Sequence, residues 1–185
     1  MLSLQGKHIV LGVTAGIAAY KSPEIVRRLQ DHGADVRVVM TPRSEEFITP
    51  LTLQSISRNV VEDDIFDRSL PDSLGHLGLG SWADLVVVAP ATADFIARFR
   101  LGMGDDLLSC LCLSARCDIV IAPAMNQQMY ASAATQSNLE ILQKRNVLIW
   151  GPDSGYQACG DIGKGRMLNP NILEQKVIEY FSKKV

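Results

Sequence analysis

The chain has 185 residues, 47% hydrophobic and 21% charged, which is enough apolar material for one sizeable core and excludes a disordered chain. Eighteen Lys plus Arg against 20 Asp plus Glu leave a formal charge of −2, which excludes a basic nucleic-acid binder and a polybasic membrane-surface protein. No apolar run reaches the roughly 18–20 residues of a membrane span, the first residues carry no secretion pattern, and Cys110, Cys112, Cys117 and Cys159 are not spaced as a small disulfide framework. A soluble, cytoplasmic, single domain over residues 1–185 is expected.

His8–Val13 is a short apolar run that ends at a Gly-rich turn, the pattern of a buried parallel strand. From Ile17 to about Gly33 the period becomes helical, with Ile25, Val26 and Leu29 on one face and Arg27, Arg28 and Asp31 on the other. Asp35–Met40 is the second strand. Thr41-Pro42 opens a short helical stretch through Phe47, and Pro50–Ser57 predicts another. The mixture of acidic residues and glycines from Asn59 to Gly80 predicts an extended functional loop. Asp84–Ala89 is the clearest buried strand, followed by helices over roughly 91–100 and 105–115. Asp118–Ala122 is the next strand, with helical sequence near Gln127–Tyr130 and Thr135–Arg145. Val147–Trp150 is the last strand; Gly151–Gly165 predicts a mobile glycine-rich stretch, and Asn171–Lys183 a closing amphipathic helix.

Strand and helix alternate with short connections, which predicts an α/β fold: one doubly wound parallel sheet in a Rossmann-like, three-layer α/β/α arrangement. Ligands in such sheets sit beyond the carboxyl ends of the strands. The chemistry is therefore expected in 12–17, 41–43, 89–94, 123–126 and 151–166.

Within those stretches, Thr14, Ala15, Gly16 and Ile17 form a turn of small residues leading into a helix, where backbone N–H groups favour a phosphate. The turn lacks both G-x-G-x-x-G and the P-loop Gly-Lys-Ser/Thr, so it favours a mononucleotide; a plain tight turn is the alternative. Pro90, Ala91, Thr92 and Ala93 offer a shelf of small side chains for a flat aromatic ligand, or simply a connection into the next helix. Asp105 and Asp106 stand at a helix start, where capping accounts for at least one of them. His8 and His32 have structural positions, whereas His76, between Gly75 and Gly78, is a candidate base. Asn126, after a strand, suits either a grip on a carboxylate or a helix N-cap. Cys159, in the glycine-rich stretch, suits a proton donor on a closing loop or an ordinary surface thiol. The other three cysteines lie in or beside a helix and fit a core better than a metal cluster.

Taken in order, Gly12–Lys21, His76 followed by Trp82-Ala-Asp84, Ala89–Ala93, Pro123-Ala-Met-Asn126 with Met129, and Ala158-Cys159-Gly160 resemble the flavin-containing cysteine decarboxylases, most closely the phosphopantothenoylcysteine decarboxylases of coenzyme A biosynthesis. The resemblance runs from Gly6 to about Asn169. It implies a flavoprotein fold with FMN as cofactor, Thr14–Ile17 and Thr41 holding its phosphate and ribityl groups, and Pro90–Ala93 with Ala124 lining its ring. It further implies His76 as base and Asn126 gripping the substrate carboxylate, with Met129 and Ala158 also binding substrate. Cys159, beside Ala158, becomes the proton donor on a substrate flap over 151–167, ahead of a helix over 170–183. Decarboxylation of 4'-phosphopantothenoylcysteine to 4'-phosphopantetheine would pass through a thioaldehyde and an enethiolate. The implied assembly is a homotrimer or homododecamer with FMN between subunits, fused to or partnered with a phosphopantothenate–cysteine ligase. No metal is implied. Asp94 stands where Asn is common and Gly104 where Ala is common. Related chains act as lantibiotic-type peptidyl-cysteine decarboxylases, flavin prenyltransferases or non-catalytic FMN-binding regulatory subunits. The first lack the flap cysteine, the second the Asn126 and Cys159 motifs together, and a pure binding module would not need His76, Asn126 and Cys159.

Overall fold

The computed structural model describes residues 3–64 and 75–184. Five parallel strands, β1 (His8–Val13), β2 (Asp35–Met40), β3 (Leu85–Ala91), β4 (Asp118–Pro123) and β5 (Leu148–Ile149), form one sheet in the order β2-β1-β3-β4-β5. Alternate strand residues enter opposite cores. Ile9, Leu11, Val13, Leu85, Val87 and Ala89 join one cluster, while Val10, Val86, Val88 and Ile121 join the other. Helices cover both faces, which is why these strands read as continuous apolar runs rather than alternating ones.

One face is covered by α1 (Ser22–Asp31) and α2 (Pro50–Ser57), with α8 (Pro170–Ser182) packed on α1. Ile25, Val26 and Leu29 of α1 are buried there. His32, just past α1, bonds the Glu174 carboxylate at 2.7 Å, and Arg28 reaches the same carboxylate at 3.0 Å, tying α1 to α8. The other face carries α3 (Gly75–Trp82), α4 (Ala93–Leu101), α5 (Leu107–Ser114) and α7 (Ala133–Lys144), with the short α6 (Gln127–Ala131) beyond β4. No helix among the described residues is long and apolar enough to cross a membrane.

The elements depart from the sequence-based expectation in four places. The first helix is split: Ile17–Lys21 is a 3-10 turn and the α-helix starts at Ser22, because Pro23 has no N–H and fits only a first turn. The expected loop over 59–80 ends in helix α3, which contains His76; its stretch 65–74 lies outside the described residues. Packing imposes that helix against the local glycine content. Arg116 N–H donates to the Gly80 carbonyl at 3.1 Å, and a Cβ on Gly80 would sit 3.3 Å from the Ser114 carbonyl oxygen, a tight fit that glycine relieves where α3 meets the end of α5. The last strand contracts to Leu148–Ile149.

The fourth departure bears on the site. Residues 151–165, for which the sequence suggested no strand, contain an antiparallel ribbon of β6 (Asp153–Tyr156) and β7 (Ile162–Arg166). Its tip closes through Gln157 N–H to the Asp161 carbonyl at 2.8 Å and Gly160 N–H to the Gln157 carbonyl at 2.9 Å. Gly165 allows the ribbon to lie on the end of β4. A Cβ there would fall 2.3 Å from the Met125 carbonyl oxygen, and the Gly165 carbonyl accepts from Met125 N–H at 2.9 Å.

Candidate active site

A cavity of about 1260 Å³ opens at the carboxyl ends of β1, β2, β3 and β4 and is roofed by the β6–β7 ribbon. Each of the five expected stretches contributes to it. Thr14, Ala15, Gly16 and Ile17 come from the turn after β1, Thr41 and Arg43 from the turn after β2, and Thr92 and Asp94 from the end of β3. Ala124, Asn126 and Met129 follow β4, and Ala158 and Cys159 come from the ribbon tip. The order β2-β1-β3-β4 places the crevice between β1 and β3, where the connections from β1 to β2 and from β3 to β4 leave in opposite directions.

Thr14 fixes the floor. Its buried hydroxyl donates to the Pro90 carbonyl at 2.7 Å and accepts from Thr92 N–H at 3.2 Å, pinning the ends of β1 and β3 together. That hydroxyl is committed to the protein, so the turn offers a ligand its backbone and small side chains. Thr92 in turn caps α4, accepting from Phe95 N–H at 3.2 Å. Pro90, Ala91 and Ala93 do not line the cavity. β3 runs on through Ala91, whose carbonyl accepts from Ala124 N–H at 3.0 Å, so the expected shelf is largely absorbed into the sheet.

Three cations, Lys21, Arg43 and Arg166, reach the lining together. Burial lowers the Lys21 ammonium from its ordinary value, and the neighbouring Arg166 guanidinium lowers it further against the weaker pull of Glu24 and Asp153. Such a pair is relieved by an anion. On another part of the lining Arg98 is already neutralised, holding both Asp105 and Asp106. Asp106 also caps α5 by accepting from Ser109 N–H at 2.7 Å, as its position predicted.

The polar centre lies under the ribbon tip. Asn126 takes the N-cap position foreseen for it. Its Oδ1 caps α6 by accepting from Gln128 N–H at 2.8 Å, which fixes the amide's orientation and aims its NH2 at the ribbon tip. That Nδ2 donates to Cys159 Sγ at 3.2 Å and to Asp161 Oδ2 at 3.4 Å, while the thiol lies 3.5 Å from the same carboxylate oxygen. Gln157 anchors the tip to the same helix start, its Oε1 accepting from Gln127 N–H at 2.9 Å.

His76 is not brought into this constellation. It is half-buried in the first turn of α3, its carbonyl accepting from Ser114 Oγ at 3.3 Å, and it is not among the cavity-lining residues. Lys21, Arg43, Arg166, Gln157 and Asp161 escaped sequence reading. Lys21 lies inside the first motif and Asp161 directly follows Ala158-Cys159-Gly160, so adjacency to those motifs was the available signal.

The Flavoprotein family profile matches residues 2–182. The coenzyme A biosynthesis bifunctional protein CoaBC of Escherichia coli K12 is 58% identical over 181 residues, covering 98% of this chain and 45% of that protein. The protein of the same name from Bacillus subtilis is 37% identical over 179 residues, covering 97% and 44%. The chain thus spans about half the length of these curated relatives. Among solved structures, a mutant PPC decarboxylase complexed with pantothenoylaminoethenethiol superposes with a TM-score of 0.83 at 25% identity, covering 95% of this chain and 98% of that one. The FMN binding protein AtHal3 gives 0.83 at 26% identity, covering 98% and 100%. With the family profile matching nearly its whole length, this chain belongs to the flavoprotein family.

Proposed function

We propose that this chain catalyses the FMN-dependent decarboxylation of 4'-phosphopantothenoylcysteine to 4'-phosphopantetheine, a carboxy-lyase step of coenzyme A biosynthesis in the cytoplasm. One observation carries the reading: the Asn126 NH2 and the Cys159 thiol lie 3.2 Å apart in a cavity that also gathers Lys21, Arg43 and Arg166. A carboxylate grip, a proton donor and phosphate-seeking cations are what this substrate requires.

The lining fits FMN. At about 1260 Å³ the cavity exceeds the volume of a typical single-ligand site, roughly 300–1,000 Å³, and has room for cofactor and substrate together. The turn Thr14–Ile17 with Thr41 would hold the phosphate and ribityl groups, and Thr92 and Ala124 would meet the ring. When bound, the flavin supplies a two-electron oxidation of the substrate CH2–SH carbon and later returns the pair.

The residues do the rest. Asn126 donates to the substrate carboxylate and orients its C–C bond beside the oxidised carbon, so that carbon dioxide leaves as electrons move onto sulfur. Cys159 delivers its proton to the resulting enethiolate under the closed ribbon, where bulk water competes poorly. Met129, half exposed and adjoining Asn126, supplies an apolar wall. His76 removes the substrate thiol proton from a neighbouring copy of the chain. The apolar side chains Ile17, Tyr20 and Met129, 62%, 64% and 50% exposed along the cavity lining, favour a covering subunit, and a homotrimer or a dodecamer of trimers supplies one. The ribbon over 151–167 acts as the substrate flap of a single FMN-binding domain. A phosphopantothenate–cysteine ligase, fused or separate, provides the substrate.

Cys159→Ser tests the assignment. The FMN-loaded variant is expected to release carbon dioxide and accumulate the oxidised enethiol; normal phosphopantetheine at the normal rate would remove Cys159 from the mechanism. His76→Asn is expected to leave FMN bound but unreduced by substrate, and full turnover would refute its role.

A further inference from the structure

Asn126 Nδ2 is the group that meets the substrate carboxylate in the reading above, on which this inference rests. In the structure that NH2 already faces a carboxylate, Asp161 Oδ2 at 3.4 Å, together with Cys159 Sγ at 3.2 Å. Its carbonyl end is held by Gln128 N–H at 2.8 Å, so the amide cannot flip to offer another face. Two carboxylates cannot crowd onto one amide, because their like charges repel at this range.

We propose that Asp161 is a positioning residue that stands in for the substrate carboxylate: it yields Asn126 when substrate binds and returns to it once carbon dioxide has left, bringing the Cys159 thiol in with it. The coupling is built into the ribbon tip. Asp161 and Cys159 flank Gly160, and the tip is closed by Gln157 N–H to the Asp161 carbonyl at 2.8 Å, so carboxylate and thiol travel as one unit. While the substrate keeps its carboxylate, repulsion holds the tip, and therefore the thiol, away. Loss of neutral carbon dioxide vacates the amide and readmits both. Proton delivery is thereby ordered after decarboxylation, and the reactive enethiolate is covered at the moment it forms.

The test compares FMN-loaded wild type with Asp161→Ala and Asp161→Asn, using 4'-phosphopantothenoylcysteine and quantifying both products. Removal of the internal competitor is expected to lower KM. Loss of the returning carboxylate is expected to lower kcat for phosphopantetheine and raise the fraction released as oxidised enethiol. Each change in the Ala variant should be roughly three- to tenfold, the range of one ordinary hydrogen bond, which is what a long, solvent-exposed contact of 3.4 Å supplies, with Asn intermediate. A structural defect in the flap would instead raise KM; a raised KM, or an unchanged product ratio, overturns the proposal. An inactive wild type would sink the proposed function itself, which is a different outcome. A second readout needs neither turnover nor FMN: alkylation of Cys159 by iodoacetamide. Asp161→Ala and Asn126→Ala should each accelerate it, and the double variant should be no faster than the faster single one. Equal rates in wild type and both single variants would show that no clasp exists.

Discussion

Thr14→Val isolates the hydroxyl that joins the two strands beneath the cavity. Valine fills the same space, so the cavity cost is small and the loss is polar. It strips the Pro90 carbonyl of a 2.7 Å donor and Thr92 N–H of a 3.2 Å acceptor. A buried group left without its partner costs about 1–3 kcal/mol. The Pro90 side is fully enclosed, whereas Thr92 borders the cavity and can recruit water, so the two together come to about 2–3 kcal/mol. For a chain of this size each kcal/mol moves the melting temperature by about 2–4 °C, which places the drop at roughly 4–12 °C. Thr14→Ser keeps both bonds and loses one methyl, at a cost of about 1 kcal/mol. Thermal unfolding followed by circular dichroism, with and without FMN, measures both variants. The Val variant should also bind FMN more weakly, because the turn over 14–17 loses its anchor to β3. A Val variant melting within about 1 °C of wild type, or a Ser variant less stable than Val, would refute the reasoning.

Gly12→Ala should cost about 1–3 kcal/mol in a urea titration, because the added methyl would lie 2.6 Å from a Cδ of fully buried Leu108; combining it with Leu108→Val should recover part of the loss. Asp118 is held below the ordinary carboxylate range by hydrogen bonds from Lys184 and then Tyr180, so its stabilisation is complete above about pH 4 and is lost as the pH falls through its lowered value. The Asp118 and Lys184 side chains are 40% and 54% exposed, so Asp118→Asn should cost less than about 1 kcal/mol at pH 7, and the gap should close in acid; a gap that widens below pH 4 would contradict the sign. One equivalent of iodoacetamide on the folded chain should label Cys159, which is exposed, and spare Cys112, whose thiol is pushed far up by burial; peptide mapping that finds Cys112 labelled first would contradict this.

The central sheet could be read from the sequence because each strand buries both faces, so Ile9–Leu11 and Leu85–Ala89 betray themselves without reference to any partner. The site's location followed from the same pattern, since a parallel sheet puts its crevice after those runs. Helix α3 was not legible. Gly75, Gly78 and Gly80 read locally as a loop, and only the approach of α5 at Ser114 and Ala115 makes Gly80 a packing residue. The ribbon was hidden for a similar reason, because Gly165 is there to let one backbone lie on another that precedes it by 40 positions. Asn126 and Cys159 stood out one at a time, but Asp161, 35 residues from Asn126, gains its meaning only when the ribbon folds back. The gathering of Lys21 with Arg166 was equally out of reach of any local window. His76 was visible as a motif residue, yet its place on α3 leaves it outside the cavity of its own chain.

The most direct test is an anaerobic incubation of the FMN-loaded chain with 4'-phosphopantothenoylcysteine labelled in its carboxyl carbon, with no NADPH or other reductant present. Labelled carbon dioxide and 4'-phosphopantetheine should appear in equal amounts over many turnovers, since the electrons withdrawn before decarboxylation are the ones returned after it. Carbon dioxide without phosphopantetheine, a need for added reductant, or no release of label would contradict the central claim.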